Sequence, residues 1–318
     1  MNSSLFGRGE RCLLESLTTD GFAELELPGD LYRQALMLAE RFYRIPLAAR
    51  MAIGAFTTRG VLGYYPSEAE ALEFVHQGGV SVPLFSGARA RGYSSFDFIG
   101  NPKVVGSAAL LKENLWPAFD VTFCDEACAT YAAIGAFTRD LAAGILTTVG
   151  DARSSRHEPF SSDCCSLMRL LQYQEAPTAG YSKPHTDYEF ITLNIASGPG
   201  LEIRRNDRGW QRLRCGEGKA VILPGDALEM ISGGRIVSTL HRVSYGDSPR
   251  TAVVFFQGMP LKYKVKSAIA DYSPRTFGDH LLAMLIRGAA HLKDDIGELE
   301  KSLGVSIPDS NPFRRNKG

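Results

Sequence analysis

The feature that most constrains the fold is a series of short apolar runs that begins after Asp163. Clusters rich in glycine, proline, asparagine and aspartate separate the runs at intervals of about ten residues, a spacing typical of an antiparallel sandwich or barrel. The runs are Leu167–Tyr173, Phe190–Ile195, Leu201–Arg204, Ala220–Leu223, Ile236–Ser238, His241–Tyr245 and Thr251–Phe256. We therefore predict a jelly roll in this part of the chain.

Helical patterns lie on both sides of these runs. Apolar residues recur at helical spacing over Leu31–Ala48 and Trp116–Val149, and two more helices are expected at Phe277–Ile286 and His291–Leu303. The stretch Gly78–Pro102 is loop-like, with glycine, serine and aromatic residues interleaved. Because no repeat or linker divides the chain, we predict one α+β domain, 1–318. It comprises a mainly helical N-terminal region (1–162), a jelly-roll core with the metal site (163–262) and C-terminal helices with a tail (263–318).

Charge and composition argue against several classes of partner. The 318 residues include 35 basic and 35 acidic side chains, whereas surfaces for nucleic acid or anionic membranes usually show a basic excess. The longest apolar run falls short of the roughly 18 residues that span a bilayer, and the first residues lack the apolar segment of a secretory signal. The six cysteines form no C-x-x-C pair, so reduced thiols in the cytoplasm are the simplest interpretation. We expect a small-molecule partner, no nucleic acid and no membrane.

His185, Asp187 and His241 are candidate metal ligands. Residues two apart on a strand point to the same side, so His185 and Asp187 can face a barrel interior while His241 approaches from another strand. Two imidazoles and one carboxylate leave one face of a metal open, as in non-haem Fe(II) oxygenases. Arg250, nine residues after His241, is a planar cation suited to a dicarboxylate such as 2-oxoglutarate. On these residues alone, polar positions at a barrel rim remain the alternative.

Ordered segments of the chain, over about residues 20–290, resemble the isopenicillin N synthase-like family of Fe(II)/2-oxoglutarate-dependent dioxygenases. The segments are Gly63-Tyr64, Asn114–Pro117, Met168–Tyr173, His185–Tyr188, Leu223–Leu228, Ser238–Val243 and Arg250. The resemblance implies a double-stranded β-helix between helical layers, and an oxygenase that uses Fe(II), 2-oxoglutarate and O2 and releases succinate and CO2. It further implies hydroxylation, desaturation or oxidative cyclisation at an unactivated C–H bond of a small molecule, in specialised metabolism.

Carried over to this chain, the resemblance makes His185, Asp187 and His241 the iron ligands and Arg250 the partner of the C5 carboxylate of 2-oxoglutarate. Related halogenases have glycine or alanine in place of the carboxylate ligand, so Asp187 disfavours halogenation.

The resemblance also assigns three further positions near the cosubstrate. Tyr173 is expected to add a hydrogen bond to the C5 carboxylate, and Arg169 matches an arginine near the cosubstrate in the ethylene-forming enzyme. The family usually has Arg-x-Ser where this chain has Arg250-Thr251-Ala252. Loss of one such hydrogen bond weakens binding by about 1–3 kcal/mol, so the departure bears on cosubstrate affinity.

Four residues are candidates for contact with the substrate. Tyr188 and Glu189 directly follow Asp187, and Glu189 stands where relatives usually have glycine, which indicates either a charge for an amine substrate or an exposed strand end. Glu70 aligns with a substrate-lining loop and is a candidate for a cationic substrate group, although acidic loop residues are mostly solvated. Phe256 ends the strand that contains Arg250 and is expected to face the core, with the pocket as the alternative.

Three other functions remain open. The Arg-x-Ala departure and the Gly233-Gly234 run are similar to the ethylene-forming enzyme, which fragments 2-oxoglutarate itself. An oxidase of the isopenicillin N synthase type would use no 2-oxoglutarate, and an inactive barrel would only bind a ligand. The intact set of three ligands argues against the inactive barrel.

Overall fold

The computed structural model describes residues 6–58, 60–79, 92–100, 111, 113–149, 160, 164–174, 180–205, 209–245, 248–266, 269 and 272–314. Its helices are α1 (Phe6–Thr19), α2 (Leu31–Arg44), α3 (Leu47–Met51), α4 (Glu68–Gly78), α5 (Phe123–Val149), α6 (Asp226–Ile231), α7 (Phe277–Gly288) and α8 (Ile296–Leu303). Its strands are β1 (Ala23–Glu26), β2 (Gly63–Tyr65), β3 (Tyr93–Phe98), β4 (Leu167–Tyr173), β5 (Gly180–Tyr181), β6 (Ile191–Ala196), β7 (Leu201–Arg205), β8 (Gly209–Arg212), β9 (Lys219–Pro224), β10 (His241–Tyr245) and β11 (Arg250–Gln257).

The strands form two antiparallel sheets. The major sheet has the order β1-β9-β6-β11-β4-β3-β2, and the minor sheet has the order β5-β10-β7-β8. Strands β1, β2 and β3 come from the N-terminal region, so the major sheet extends beyond the range 163–262. The predicted α+β fold with a jelly-roll core between helical layers is confirmed.

The major sheet has a helix-covered face and an interior face, because side chains alternate along each strand. On the covered face, the ring of Phe255 in β11 lies 5.0 Å from that of Tyr131 in α5. The hydroxyl of Tyr43 in α2 shares its one proton there between the carbonyls of Ser94 and Leu170, at 2.9 and 3.0 Å. Residues of the opposite parity, Arg250 and Ala252 among them, therefore lie on the interior face.

Helix α5 is long and apolar enough to cross a membrane by length and composition alone. Its apolar side chains have partners inside the protein, since the helix packs against α1, α2 and β11. Phe123, Ile134 and Leu146 are all buried in the main core. These contacts account for the apolar composition of α5 as that of a core helix.

Two local predictions are wrong. The run Ile236–Ser238 is not a strand, because the backbone N–H and the hydroxyl of Ser238 both donate to Glu229 Oε2, at 2.6 and 2.8 Å. The predicted loop at Gly78–Pro102 contains β3, which pairs with β2 and β4. Residues 80–91 and 101–102 of that loop lie outside the described residues.

Candidate metal centre

The structure brings the three predicted ligands together inside the barrel. His241 begins β10, and His185 lies opposite it in a two-residue bridge, where each backbone N–H donates to the other residue's carbonyl at 2.9 Å. The Nε2 atoms of His185 and His241 lie 3.9 and 3.7 Å from Oδ1 of Asp187. Within the described part of the chain, this is the one cluster of His, Cys, Asp or Glu side chains that meets the geometry of a metal site.

Backbone carbonyls orient both imidazoles. Nδ1 of His185 lies 2.9 Å from the carbonyl of Lys183, and Nδ1 of His241 lies 2.9 Å from the carbonyl of Thr239. Because a carbonyl only accepts, each Nδ1 carries the proton, and each Nε2 presents a lone pair on the side of Asp187. Metal-binding histidines are typically held by such a second hydrogen bond.

The measured separations fit a metal ion. Two ligand atoms that each lie about 2.1 Å from a metal are at most about 4.2 Å apart. Both Nε2–Oδ1 separations are shorter than this limit. Two imidazoles and a carboxylate on one side of a metal are the ligand set of non-haem Fe(II) oxygenases.

Thr192 fixes the third ligand. Its hydroxyl donates to Oδ2 of Asp187 at 2.7 Å, so that Oδ1 is the oxygen next to the two imidazoles. Both side chains are buried, at 2% exposure for Thr192 and 6% for Asp187. Thr192 thereby orients the carboxylate as an outer partner of the site.

We expect Thr192→Val to lower Fe(II) affinity by about 10- to 100-fold, the usual effect of removing an outer hydrogen bond from a metal ligand. The valine keeps the shape of the side chain, so the fold should persist. The matched control is Thr138→Val, which removes a buried hydrogen bond of 2.8 Å to Gln257 outside the site. Titration of both variants with Fe(II) under anaerobic conditions measures the difference. Equal affinities in the two variants would contradict this role of Thr192.

Arg250 is closely surrounded by Tyr173, Ser244 and Gly200, which together form its cradle. The residue is 7% exposed, its Cζ atom lies 4.0 Å from the centroid of the Tyr173 ring, and its guanidinium donates to the carbonyl of Ser244. The Cα of Gly200 is close to the guanidinium, and a Cβ at this position would collide with it. Burial, with a smaller effect of Tyr93, raises the pKa of Tyr173, so this hydroxyl remains a donor.

A cavity lies beside this cradle. The lining residues include Tyr173, Asn194, Ala196, Gly200, Val243, Arg250 and Ala252. Thr192 is the next residue on the same face of β6 as Asn194, and it contacts Asp187. The cavity therefore lies beside Arg250, and one of its lining residues, Asn194, is a strand neighbour of the Thr192 that contacts Asp187. The methyl group of Ala252 faces the cavity where the related family has a serine hydroxyl.

We expect Gly200→Ala to displace the Arg250 guanidinium and to weaken 2-oxoglutarate binding about 10-fold or more, since one hydrogen bond to a charged group contributes about 1.5–3 kcal/mol. Isothermal titration of the metal-loaded protein with 2-oxoglutarate measures the effect. Gly297→Ala is the control, because a Cβ on this residue of α8 meets no atom within 4 Å. If Gly200→Ala bound 2-oxoglutarate like this control, the cradle would have no role in the site.

Arg169 lies on the interior face but is bound to Asp97. Nε and one terminal nitrogen of Arg169 donate to the two carboxylate oxygens of Asp97 at 2.7 and 2.6 Å. Burial lowers the pKa of Arg169, but Asp97 more than offsets this effect and keeps it above its ordinary value. The Cζ atom lies 5.3 Å from the centroid of the Phe256 ring, and the side chain is 32% exposed. The cosubstrate contact predicted for Arg169 stays a prediction. Phe256 faces the Arg169–Asp97 pair on the interior face.

Glu70 is not available to a cationic substrate group, which corrects the sequence prediction. Its carboxylate is buried and accepts hydrogen bonds from Arg50 at 2.9 Å and from the Tyr64 hydroxyl at 2.7 Å. It also accepts from the backbone N–H of Ser67 in the capping box that begins α4. Glu70 thus holds the start of α4 against α3.

Glu189 and Tyr188 both pack inward. Glu189 is 5% exposed, so the predicted alternative of an exposed strand end is wrong. Burial, followed by the neighbouring Asp187 carboxylate, raises the pKa of Glu189 to about 8. The ring of Tyr188 packs edge-on against His280 of α7, with 6.2 Å between the ring centroids. Contact of either residue with a substrate stays a prediction.

Sequence reasoning missed Thr192 and Gly200. A threonine five residues after a ligand is no motif, and Gly198-Pro199-Gly200 by itself indicates only a turn. Both roles depend on strand register, which brings Thr192 beside Asp187 and Gly200 beside Arg250.

Comparison with known proteins supports the same chemistry. The model of the 2OG-Fe(II) oxygenase superfamily matches residues 163–258. Leucoanthocyanidin dioxygenase 1 of Oryza sativa subsp. indica is 25% identical over 296 residues, which cover 85% of this chain and 73% of that protein. The 2-oxoglutarate-Fe(II) type oxidoreductase hxnY of Emericella nidulans is 25% identical over 262 residues, or 77% of this chain and 73% of that protein.

Solved structures share the fold. A full-length Neurospora crassa protein, crystallised in complex with alpha-KG, superposes with a TM-score of 0.68 at 22% identity over 89% of this chain and 92% of that one. The match at 163–258 contains all three candidate metal ligands and Arg250. This region is therefore a 2OG-Fe(II) oxygenase superfamily domain, and the protein is a non-haem iron, 2-oxoglutarate-dependent dioxygenase.

Proposed function

We propose that the protein oxidises an unactivated C–H bond of a small molecule, with His185, Asp187 and His241 as the iron ligands and Arg250 and Tyr173 as the partners of the C5 carboxylate of 2-oxoglutarate. The observation that carries this proposal is that the cluster of two imidazoles and a carboxylate and the buried Arg250, with a cavity beside it, all belong to the jelly-roll core. An elongated dicarboxylate needs a metal at one end and a fixed cation at the other. Fe(II), O2 and 2-oxoglutarate together supply the oxidising chemistry, with succinate and CO2 as coproducts.

The residues of this chain hold and orient the reactants. The two imidazoles are fixed by backbone carbonyls and the carboxylate by Thr192, so none needs to reorganise when a metal binds. Arg250 offers a permanent positive charge inside the protein, where its attraction for a carboxylate is stronger than in water. Apolar Val243 and Ala252 line the cavity beside Arg250 and would limit water next to a cosubstrate bound there.

The substrate is proposed to bind on the interior face beside Phe256. Phe256 pairs with Thr192 in the sheet, and Thr192 contacts the ligand Asp187, so the ring is one strand away from the metal centre. The partly exposed guanidinium of Arg169 lies over the same ring. An aromatic surface beside a held cation suits a small molecule with an apolar body and a hydrogen-bond acceptor. A role in specialised metabolism is supported by relatives named for leucoanthocyanidin and clavatol oxidation.

The test is a screen of small molecules that quantifies succinate, O2 consumption and oxidised product together. The proposal expects one succinate for each O2 consumed when a substrate is present, with a product changed at one C–H bond. Ethylene release from 2-oxoglutarate in the absence of a screened molecule would instead identify the fragmentation reaction. Product formation and O2 consumption without any succinate would identify the oxidase.

A further inference from the structure

A buried polar cluster connects the metal-ligand segment to residues far along the chain. Asn311, in the segment that follows α8, donates through Nδ2 to the hydroxyl of Thr186 and to Oδ2 of Asp226, both at 2.9 Å. Thr186, Asp226 and Asn311 are each 0% exposed. The remaining polar atom of this side chain, Oδ1, accepts from the backbone N–H of Phe313 at 2.9 Å. The amide of Asn311 is therefore bonded at both ends.

Both partners of Asn311 are adjacent to the ligands. Thr186 stands between His185 and Asp187 in the chain. The backbone N–H of Asp226 donates to the carbonyl of Asp187 at 2.8 Å. Asn311 thus bridges Thr186, the residue before Asp187, and Asp226, whose backbone N–H donates to the Asp187 carbonyl.

Helix α7 supports the same cluster from another side. Nε2 of His280 lies 3.4 Å from Oδ2 of Asp226, and Nδ1 of His280 lies 2.7 Å from the hydroxyl of Tyr272. The ring of Phe313 packs edge-on against the ring of His280, with 5.4 Å between the two ring centroids, and so adds an apolar contact to the cluster. Residues that follow the jelly roll in the chain therefore pack around Asp226, which contacts the ligand segment.

The ligand segment has little regular sheet pairing of its own. Residues 182–190 lie between β5 and β6 and have only the His185–His241 bridge as regular sheet pairing. Other backbone hydrogen bonds hold the two ends of this segment, and at its centre the Asp226 N–H donates to the Asp187 carbonyl while Asn311 donates to Thr186. A hydrogen bond between fully buried groups keeps a fixed direction, because no water competes for it.

We propose that Asn311 is a positioning residue of the metal centre, acting through Thr186 and Asp226 to hold Asp187 in the orientation that binds the metal. The proposal rests on the proposed role of His185, Asp187 and His241 as metal ligands. It makes the segment after α8 a part of the metal site, although it contacts no ligand side chain.

The test is the affinity for Co(II), a spectroscopic probe of the site, in two matched pairs of variants. Asn311→Leu removes both donated hydrogen bonds at nearly constant size and is expected to lower Co(II) affinity by about 10- to 100-fold relative to wild type. Tyr43→Phe removes a buried hydroxyl on the helix-covered face, whose proton is shared between the Ser94 and Leu170 carbonyls, and is expected to bind Co(II) like wild type. Thr186→Val removes the acceptor of Asn311 and is expected to lower affinity, whereas Thr186→Ser keeps the acceptor and the affinity.

The outcomes separate this proposal from the one on which it rests. Equal Co(II) affinity for folded Asn311→Leu and wild type would overturn the role of Asn311, and so would equal affinity for Thr186→Val and Thr186→Ser. The threonine pair decides the question if Asn311→Leu does not fold. Equal losses of Co(II) affinity in Asn311→Leu and Tyr43→Phe would show that the cluster only stabilises the fold, and this result would overturn the proposal. Absence of Co(II) binding by wild type would instead contradict the proposed metal centre.

Discussion

Replacing His241 with alanine is expected to lower Fe(II) affinity by more than about 100-fold and to abolish 2-oxoglutarate turnover. Loss of an outer hydrogen bond already costs about 10- to 100-fold in metal affinity, and loss of a ligand removes a direct bond. The fold should persist, because the bridge between His241 and His185 uses backbone N–H and carbonyl groups that alanine retains. Anaerobic Fe(II) titration and succinate formation measure the two effects.

The control for this variant is His76→Ala, since His76 is an exposed histidine on α4 outside the site. It should bind Fe(II) and form succinate like wild type. Wild-type Fe(II) affinity in a folded His241→Ala protein would show that the metal binds elsewhere.

Replacing Arg250 with alanine is expected to weaken 2-oxoglutarate binding by about 100-fold or more while Fe(II) affinity is retained. Each hydrogen bond to a charged group contributes about 1.5–3 kcal/mol, and an arginine fork makes two to a carboxylate. About 1.4 kcal/mol corresponds to tenfold in affinity. Arg250→Lys keeps the charge without the planar fork and should give an intermediate loss. Titration of the Fe(II)-loaded protein with 2-oxoglutarate, without O2, measures both variants.

Arg242→Ala provides a matched loss of positive charge outside the cavity. The Cζ atom of Arg242 lies 3.8 and 4.2 Å from the ring centroids of Tyr181 and Trp210, and the guanidinium pairs with Glu202. This control should bind 2-oxoglutarate like wild type. Unchanged 2-oxoglutarate affinity in folded Arg250→Ala would remove the proposed role of Arg250 and favour the oxidase alternative.

The jelly-roll strands could be predicted because their information is local. Strands β4 and β10 occupy the predicted residues, since β-branched, aromatic and long apolar side chains alternate or run together between clear turn signals. Strand β3 escaped prediction because its interior positions carry Ser95 and Asp97. Asp97 is stable there only because Arg169 of β4 pairs with it, and this partner is distant in the sequence.

The residues of the candidate site also divide into those that could be predicted from the sequence and those that could not. His185, Asp187, His241 and Arg250 could be chosen from residue type and strand position, because each carries chemistry that few other residues supply. Asn311 could not be chosen, since it contacts Thr186 across 125 positions of the chain and belongs to no motif.

The correction at Glu70 had a signal in the sequence. Ser67-Glu68-Ala69-Glu70 fits the S-x-x-E pattern of a capping box, which assigns the glutamate to the start of a helix rather than to a substrate. The partner Arg50 strengthens that assignment but is 20 positions away and becomes visible only in the fold.

The central claim is that the jelly-roll core holds Fe(II) at His185, Asp187 and His241 and 2-oxoglutarate at Arg250 at the same time. Anaerobic titration of the protein with both components, followed by visible absorption, tests it most directly. The account predicts a weak metal-to-ligand charge-transfer band that needs both Fe(II) and 2-oxoglutarate, saturates at one of each per chain and is lost in His241→Ala and Arg250→Ala. Fe(II) binding without this band at saturating 2-oxoglutarate would contradict the account.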